Sequence, residues 1–126
     1  MAQTTNSEAM KNRTKQFALL VIRLCRTVPP SQEGRIITRQ LLRSATSVAA
    51  NYRAVCRARS AADFVSKLGI VLEEADETLF WLELLVDAGV VPTEKIRVAL
   101  KEANELVSIF VASLRTAKGL NLPSKI

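Results

Sequence analysis

Arg35, Arg39, Arg43, Arg53, Arg57 and Arg59 crowd one segment of this 126-residue chain, and no acidic residue stands between Glu33 and Asp63. A guanidinium is planar, stays charged at any working pH, and forks its donors to match a carboxylate or a phosphate. The chemistry open to such a segment is anion recognition. At 100° per residue, with Arg35 at zero, Arg39 falls at about 40°, Arg43 at about 80°, Arg53 at about 0° and Arg57 at about 40°. Five arginines therefore share a sector roughly 80° wide and about 33 Å long on a helix, with Arg59 past the helix end. The apolar residues of the same segment centre roughly opposite.

A charge run is usually a solvated face. Ordinary solvated faces mix signs, however, because an acid four residues away relieves the repulsion between like charges. This segment lacks that relief, so its counter-charge comes from elsewhere. RNA or DNA phosphates supply one kind. The later stretch LEEADETLFWLE supplies another, because Glu73, Asp76, Glu83 and Asp87 fall away from the core sector of their helix. The net charge of +6 is divided along the same line. Residues 1–62 hold 11 basic and two acidic side chains, whereas residues 63–126 hold seven basic and ten acidic, giving +9 and −3. A bipolar chain of this kind fits a polyanion partner, or opposite faces that pair between subunits.

Other chemistry is poorly supplied. The chain has no histidine, which removes Ser-His and Cys-His pairs, His-ligated zinc and the usual general base near neutral pH. Glu73, Glu74, Asp76 and Glu77 lie close together, but the carboxylate metal sites of helical bundles also use Glu-x-x-His motifs. No phosphate loop of the Walker kind is present. Neither a catalytic residue, a metal site nor a cofactor is expected, and the chain reads as a non-enzyme. Cys25 and Cys56 match no metal spacing and read as free, buried structural thiols. The polar start has no signal-peptide character, and FALLVIRLC is too short to span a bilayer. A cytoplasmic protein with no membrane partner is expected.

Four amphipathic segments must position the arginines. Residues 1–12 are expected as a flexible N-terminal arm. A first helix from Lys11 to Thr27 has Phe17, Leu20, Val21 and Leu24 on one face, and the prolines of VPP end it. Ser31 is placed to cap a second helix that runs to about Arg57, with Ile37, Leu41, Ala45, Val48, Tyr52 and Val55 along one side. Ser60 and Asp63 form a capping-box pattern ahead of a third helix that buries Phe64, Leu68, Val71, Leu72, Ala75, Leu79, Leu82 and Val86. Gly89 stops it, and Thr93 can cap a fourth helix carrying Ile96, Leu100, Ala103, Val107, Phe110 and Leu114. That helix ends near Lys118, leaving residues 119–126 as a tail. The fold class is all-α, an antiparallel up-down-up-down four-helix bundle over residues 13–118. On the third helix Ile70, Trp81 and Leu84 gather outside the buried stripe. They are candidates for an oligomer interface, the alternative being that Trp81 packs on a neighbouring helix.

The segments QLLRSATSVAANYRAVCRARS (40–60) and DFVSKLGIVLEEADETLFWLELLVDAGVV (63–91) resemble the four-helix bundle proteins of the 23S ribosomal RNA intervening-sequence protein family. Gln40, Leu41, Arg43, Ser47, Asn51, Phe64, Lys67 and Leu68 match its pattern, and the resemblance runs from Thr14 to about Lys118. Many relatives read Asn-Ile-Ala-Glu-Gly where this chain reads NYRAVC, a departure that strengthens the helix and adds positive charge. The resemblance implies an antiparallel bundle assembling into a homo-oligomeric ring, most often a pentamer. It also implies nucleic-acid contact, and in a related branch a role as accessory protein beside a reverse transcriptase in diversity-generating retroelements. The function expected is low-specificity backbone binding of RNA or DNA through the arginine face. The alternative is a protein–protein scaffold whose basic and acidic helix faces pair between subunits.

Overall fold

The computed structural model describes residues 2–119, with side chains from Asn6 onward. Its helices are α1 (Ala2–Arg26), α2 (Gln32–Val55), α3 (Ala61–Asp87) and α4 (Thr93–Lys118). The connections span only 27–31, 56–60 and 88–92, lengths at which consecutive helices reverse direction. Helix α1 packs on α2, α2 on α3 and α3 on α4, and α4 closes the square against α1 by a sparser seam. The Ser44 and Thr78 hydroxyls meet midway along α2 and α3, a contact compatible with antiparallel neighbours.

Local chemistry fixes most helix ends. The Ser31 hydroxyl oxygen accepts from the Gly34 N–H at 2.9 Å, satisfying one of the donors that the first turn of α2 leaves open. Ser60 does the same for the Asp63 N–H at 3.0 Å, and the Asp63 carboxylate reaches back to the Arg59 N–H. At the end of α3, Gly89 adopts a left-handed φ of 74°. The Val90 N–H then reaches the Leu85 carbonyl while the Gly89 N–H reaches Val86, a Schellman closure.

Three boundaries differ from the sequence reading. Residues 2–12, expected as a flexible arm, belong to α1. Met10 packs against the core, Glu8 and Lys11 pair at 2.7 Å one turn apart, and no glycine or proline interrupts the backbone before Pro29. Helix α2 stops at Val55 rather than near Arg57, because the Arg57 and Ala58 N–H groups bond three residues back instead of four. Thr93 is the first helical residue of α4; the capping position is Pro92, which offers no side-chain hydrogen bond. The expected tail lies outside the described residues apart from Gly119.

Phe17, Leu41, Leu68, Leu82, Leu106 and Phe110 are essentially inaccessible and fill the space between the four helices. Each such side chain contributes about 1.5–3 kcal/mol by leaving water. The core stripe of α3 is rotated from the expected one. Thr78 and Leu85 are fully buried, whereas Phe64, Leu72, Leu79 and Val86 are only partly so. Among the described residues, Thr14, Ser44 and Thr78 are the buried polar ones, and each spends its hydroxyl on a neighbour.

Candidate nucleic-acid interface

Helix α2 buries Ile37, Leu41, Ser44, Ala45 and Val48, which turns Arg35, Arg39, Arg43 and Arg53 outward. Arg57 and Arg59 continue the series in the α2–α3 connection, also exposed. Among the described residues, Arg35, Arg39, Arg53 and Arg57 make no ion pair. Arg35 and Arg53 lie 18 residues apart on one azimuth, about 27 Å along the axis. Between Arg43 and Arg53 the exposed positions are small, Thr46 and Ala50, so a ligand can lie close to the helix there.

Arg43 departs from the expectation of an unpaired strip. Its Nη2 sits 2.7 Å from Glu77 Oε1 and 3.4 Å from Glu74 Oε1, both on α3. The cause is its azimuth: Arg43 stands about 40° further round α2 than Arg39 and about 80° further than Arg35, at the edge of the sector from which a side chain reaches α3. A matching clamp joins α1 to α4. Arg13 donates through Nε and Nη2 to Glu102, and Nη2 also reaches Glu105 at 2.7 Å. These two carboxylates hold the Arg13 guanidinium even more firmly protonated than usual. The sequence reading missed this clamp; the signal was there in Glu102 and Glu105, one turn apart on a single face. One arginine from each basic helix is thus spent on internal pairing, and the remainder of the α2 strip is not. Arg59 donates its backbone N–H to Asp63, whose carboxyl is held below its ordinary range first by Lys67 at 2.6 Å and then by that N–H.

On the outer side of α3, Glu73, Asp76, Glu83 and Asp87 are exposed and form no ion pair among the described residues. Phe80 stands among them, 52% exposed, a position the sequence reading missed. Its ring meets Trp81 edge to face at 4.8 Å. Of the three candidate interface residues, Ile70 is 44% exposed, while Trp81 and Leu84 are half-buried against the core. The Trp81 indole Nε1 is buried with no hydrogen-bond partner among the described residues.

Both cysteines are free thiols. Cys25 is half-buried, and burial pushes its thiol up to about 11. Cys56, expected to be buried, is exposed, because α2 ends just before it. It lines a recess of about 940 Å3 where the C-terminal end of α2, the N-terminal end of α3 and the last turns of α4 meet. Among the described residues no group of three metal-ligating side chains gathers, and no helix is long and apolar enough to cross a membrane.

A search of family models matches residues 7–112 to the family described as 23S rRNA-intervening sequence protein. Among solved structures, a protein of unknown function from the S23 ribosomal protein family of Bacteroides thetaiotaomicron aligns with a TM-score of 0.76 and 32% sequence identity. The alignment covers 83% of this chain and 97% of that one. Among curated proteins nothing matches.

Proposed function

The chain belongs to the 23S rRNA-intervening sequence protein family, and from that premise we propose that it is a non-catalytic bundle that binds RNA by its phosphates along α2. The observation that carries this is the exposed series Arg35, Arg39, Arg53 and Arg57, which make no ion pair among the described residues, while Arg13 and Arg43 are spent internally. Guanidinium groups spread along α2 and into the connection after it meet backbone phosphates and carry no base code, so binding is of low sequence specificity. Each phosphate neutralised on a single strand releases counterions worth a slope of about −0.7 in log K against log salt, so four contacts give about −3. The test is a salt titration of RNA binding by filter retention, with wild type beside the double variant Arg39→Glu, Arg53→Glu. Affinity should collapse and the slope fall by about half. Unchanged affinity and slope in a folded double variant would sink the proposal.

A second reading has its own support in the unpaired acidic strip of α3, with Phe80 exposed along it. In that reading the α3 strip of one subunit pairs with the α2 arginines of the next, building a homo-oligomeric ring. The same double variant would then lower the mass measured by light scattering, and salt would do the same to wild type. A DNA ligand or a reverse transcriptase partner would act through the same exposed arginines.

A further inference from the structure

We propose that the recess at the α2–α3 end of the bundle receives one unpaired RNA nucleobase, its flanking phosphates lying on Arg53, Arg57 and Arg59. This rests on the RNA-binding reading and deepens it. The recess, at about 940 Å3, is of the size that accepts a small organic group. It opens where the unpaired arginine series ends, since Tyr52, Cys56 and Arg59 line it while Arg53 and Arg57 stand beside them in the chain. A strand followed along α2 therefore arrives at its mouth.

The lining fits a flat, polar, uncharged ring. Tyr52 is fixed against Phe110, ring centroids 6.1 Å apart and planes at 27°, and Phe64 contributes a second half-buried ring from α3. Nucleobases stack on such rings regardless of sequence. The Ser60, Ser113 and Thr116 hydroxyls each donate or accept, which suits the mixed edge of a base. Arg59 is the charged residue among the described ones lining it, and no carboxylate is. A cationic ligand is thereby disfavoured, and a wholly apolar one would strand the hydroxyls. A base tethered to phosphates satisfies all three kinds of lining at once.

Cys56 provides the readout, because it lines the recess and is exposed, while Cys25 is half-buried and resists ionisation. Alkylation of the full-length protein at about pH 7.5 therefore reports mainly on Cys56. Two probes are compared: an oligoadenylate of about 12 nucleotides and an abasic deoxyribose-phosphate oligomer of equal length. Oligoadenylate should bind about tenfold or more tightly than the abasic chain, as expected for stacked bases. It should also slow Cys56 alkylation several-fold, and the abasic chain should not. Filling the recess with Ser113→Trp should bring oligoadenylate down to abasic affinity and leave the abasic chain's own affinity unchanged. If both oligomers bind alike and Cys56 reacts equally fast with either, the α2 strip binds RNA but the recess does not. If neither oligomer binds, the RNA reading itself falls and this inference with it.

Discussion

Arg43 Nη2 lies 2.7 Å from Glu77 Oε1 across the α2–α3 seam, although the two residues are separated by 34 positions in the chain. One turn earlier on the same helix, Arg39 makes no ion pair among the described residues. Two arginines of one strip thus do different work. Arg43 ties the basic half of the bundle to the acidic half, whereas Arg39 stays exposed and outside that clamp. Arg13 repeats the arrangement at the α1–α4 seam with Glu102 and Glu105.

Charge reversal should separate the two roles in stability alone. Arg43→Glu places three carboxylates together at the seam and should destabilise the fold by about 1 kcal/mol, a figure kept low because the pair is half exposed. Arg39→Glu removes no internal contact and should stay within about 0.5 kcal/mol of wild type. Urea unfolding of the two single variants measures both. Equal losses would mean that the Arg43 clamp contributes nothing that Arg39 lacks.

Much of the fold was readable because its signals are local. Ser31, Ser60 and Gly89 act within three or four residues of themselves, so their types and spacing announce the helix ends they make. Arg35, Arg39 and Arg53 could be placed on an outward face because Ile37, Leu41 and Val48 define the inward one. What escaped depended on a second element. The azimuth of Arg43 could be computed from α2, but which neighbour's acids arrive there depends on the register of α3. Helix α3 is apolar on more than one side, so its own period placed Leu68, Val71, Ala75 and Leu82 in the core but did not choose between Phe64, Leu72, Leu79 and Val86 on one flank and Thr78 and Leu85, which are fully buried, on the other. The start of α1 was missed for a related reason: its polar residues form helix because Met10 reaches the core.

Ser44 and Thr78 place two hydroxyls 2.9 Å apart in the fully buried seam between α2 and α3. Each hydroxyl also reaches a backbone carbonyl of its own helix, Ser44 to Leu41 at 3.2 Å and Thr78 to Glu74 at 2.8 Å. Removing one leaves the other with that partner and costs only the net worth of the cross-helix bond, about 0.5–1.5 kcal/mol. The double variant Ser44→Ala, Thr78→Val should therefore lose less stability than the sum of the two single variants, because both singles remove the same cross-helix bond. A double-mutant cycle by chemical denaturation checks the sign. Additive losses would show that the hydroxyl pair is not coupled.

Two helical glycines should respond oppositely to alanine. At Gly69 an added Cβ meets nothing within 4 Å, so Gly69→Ala should stabilise by about 0.5–1 kcal/mol through helix propensity. At Gly34 the same atom would come within 2.7 Å of Ser31 Oγ and 3.3 Å of the Pro29 carbonyl oxygen. Ser31 would have to abandon its cap on the Gly34 N–H, a loss of about 1 kcal/mol that cancels the propensity gain. Gly34→Ala should thus bring no gain in thermal midpoint while Gly69→Ala raises it. A rise at both positions would show that the Ser31 cap yields without cost.

Asp63 gives the first turn of α3 a pH dependence of known direction. Its carboxylate takes the Lys67 ammonium at 2.6 Å and the Arg59 N–H at 3.0 Å, contacts that favour the charged form and lower its pKa below the ordinary 3.8. A folded-state value below the unfolded one means that the unfolded chain binds this proton more readily. The stabilisation is therefore complete above the unfolded value and is lost as pH falls through the folded one. Asp63→Asn keeps an acceptor for the Arg59 N–H but has no charge to lose. Wild type should accordingly lose stability more steeply than Asp63→Asn between about pH 5 and pH 3, and the two should run parallel near neutrality. Urea midpoints measured across that range decide it. Because the Asp63 and Lys67 side chains both remain partly open to solvent, added salt should bring the two acid limbs together, since a screened ammonium favours the carboxylate less. Salt-independent curves would instead assign the effect to the Arg59 N–H alone.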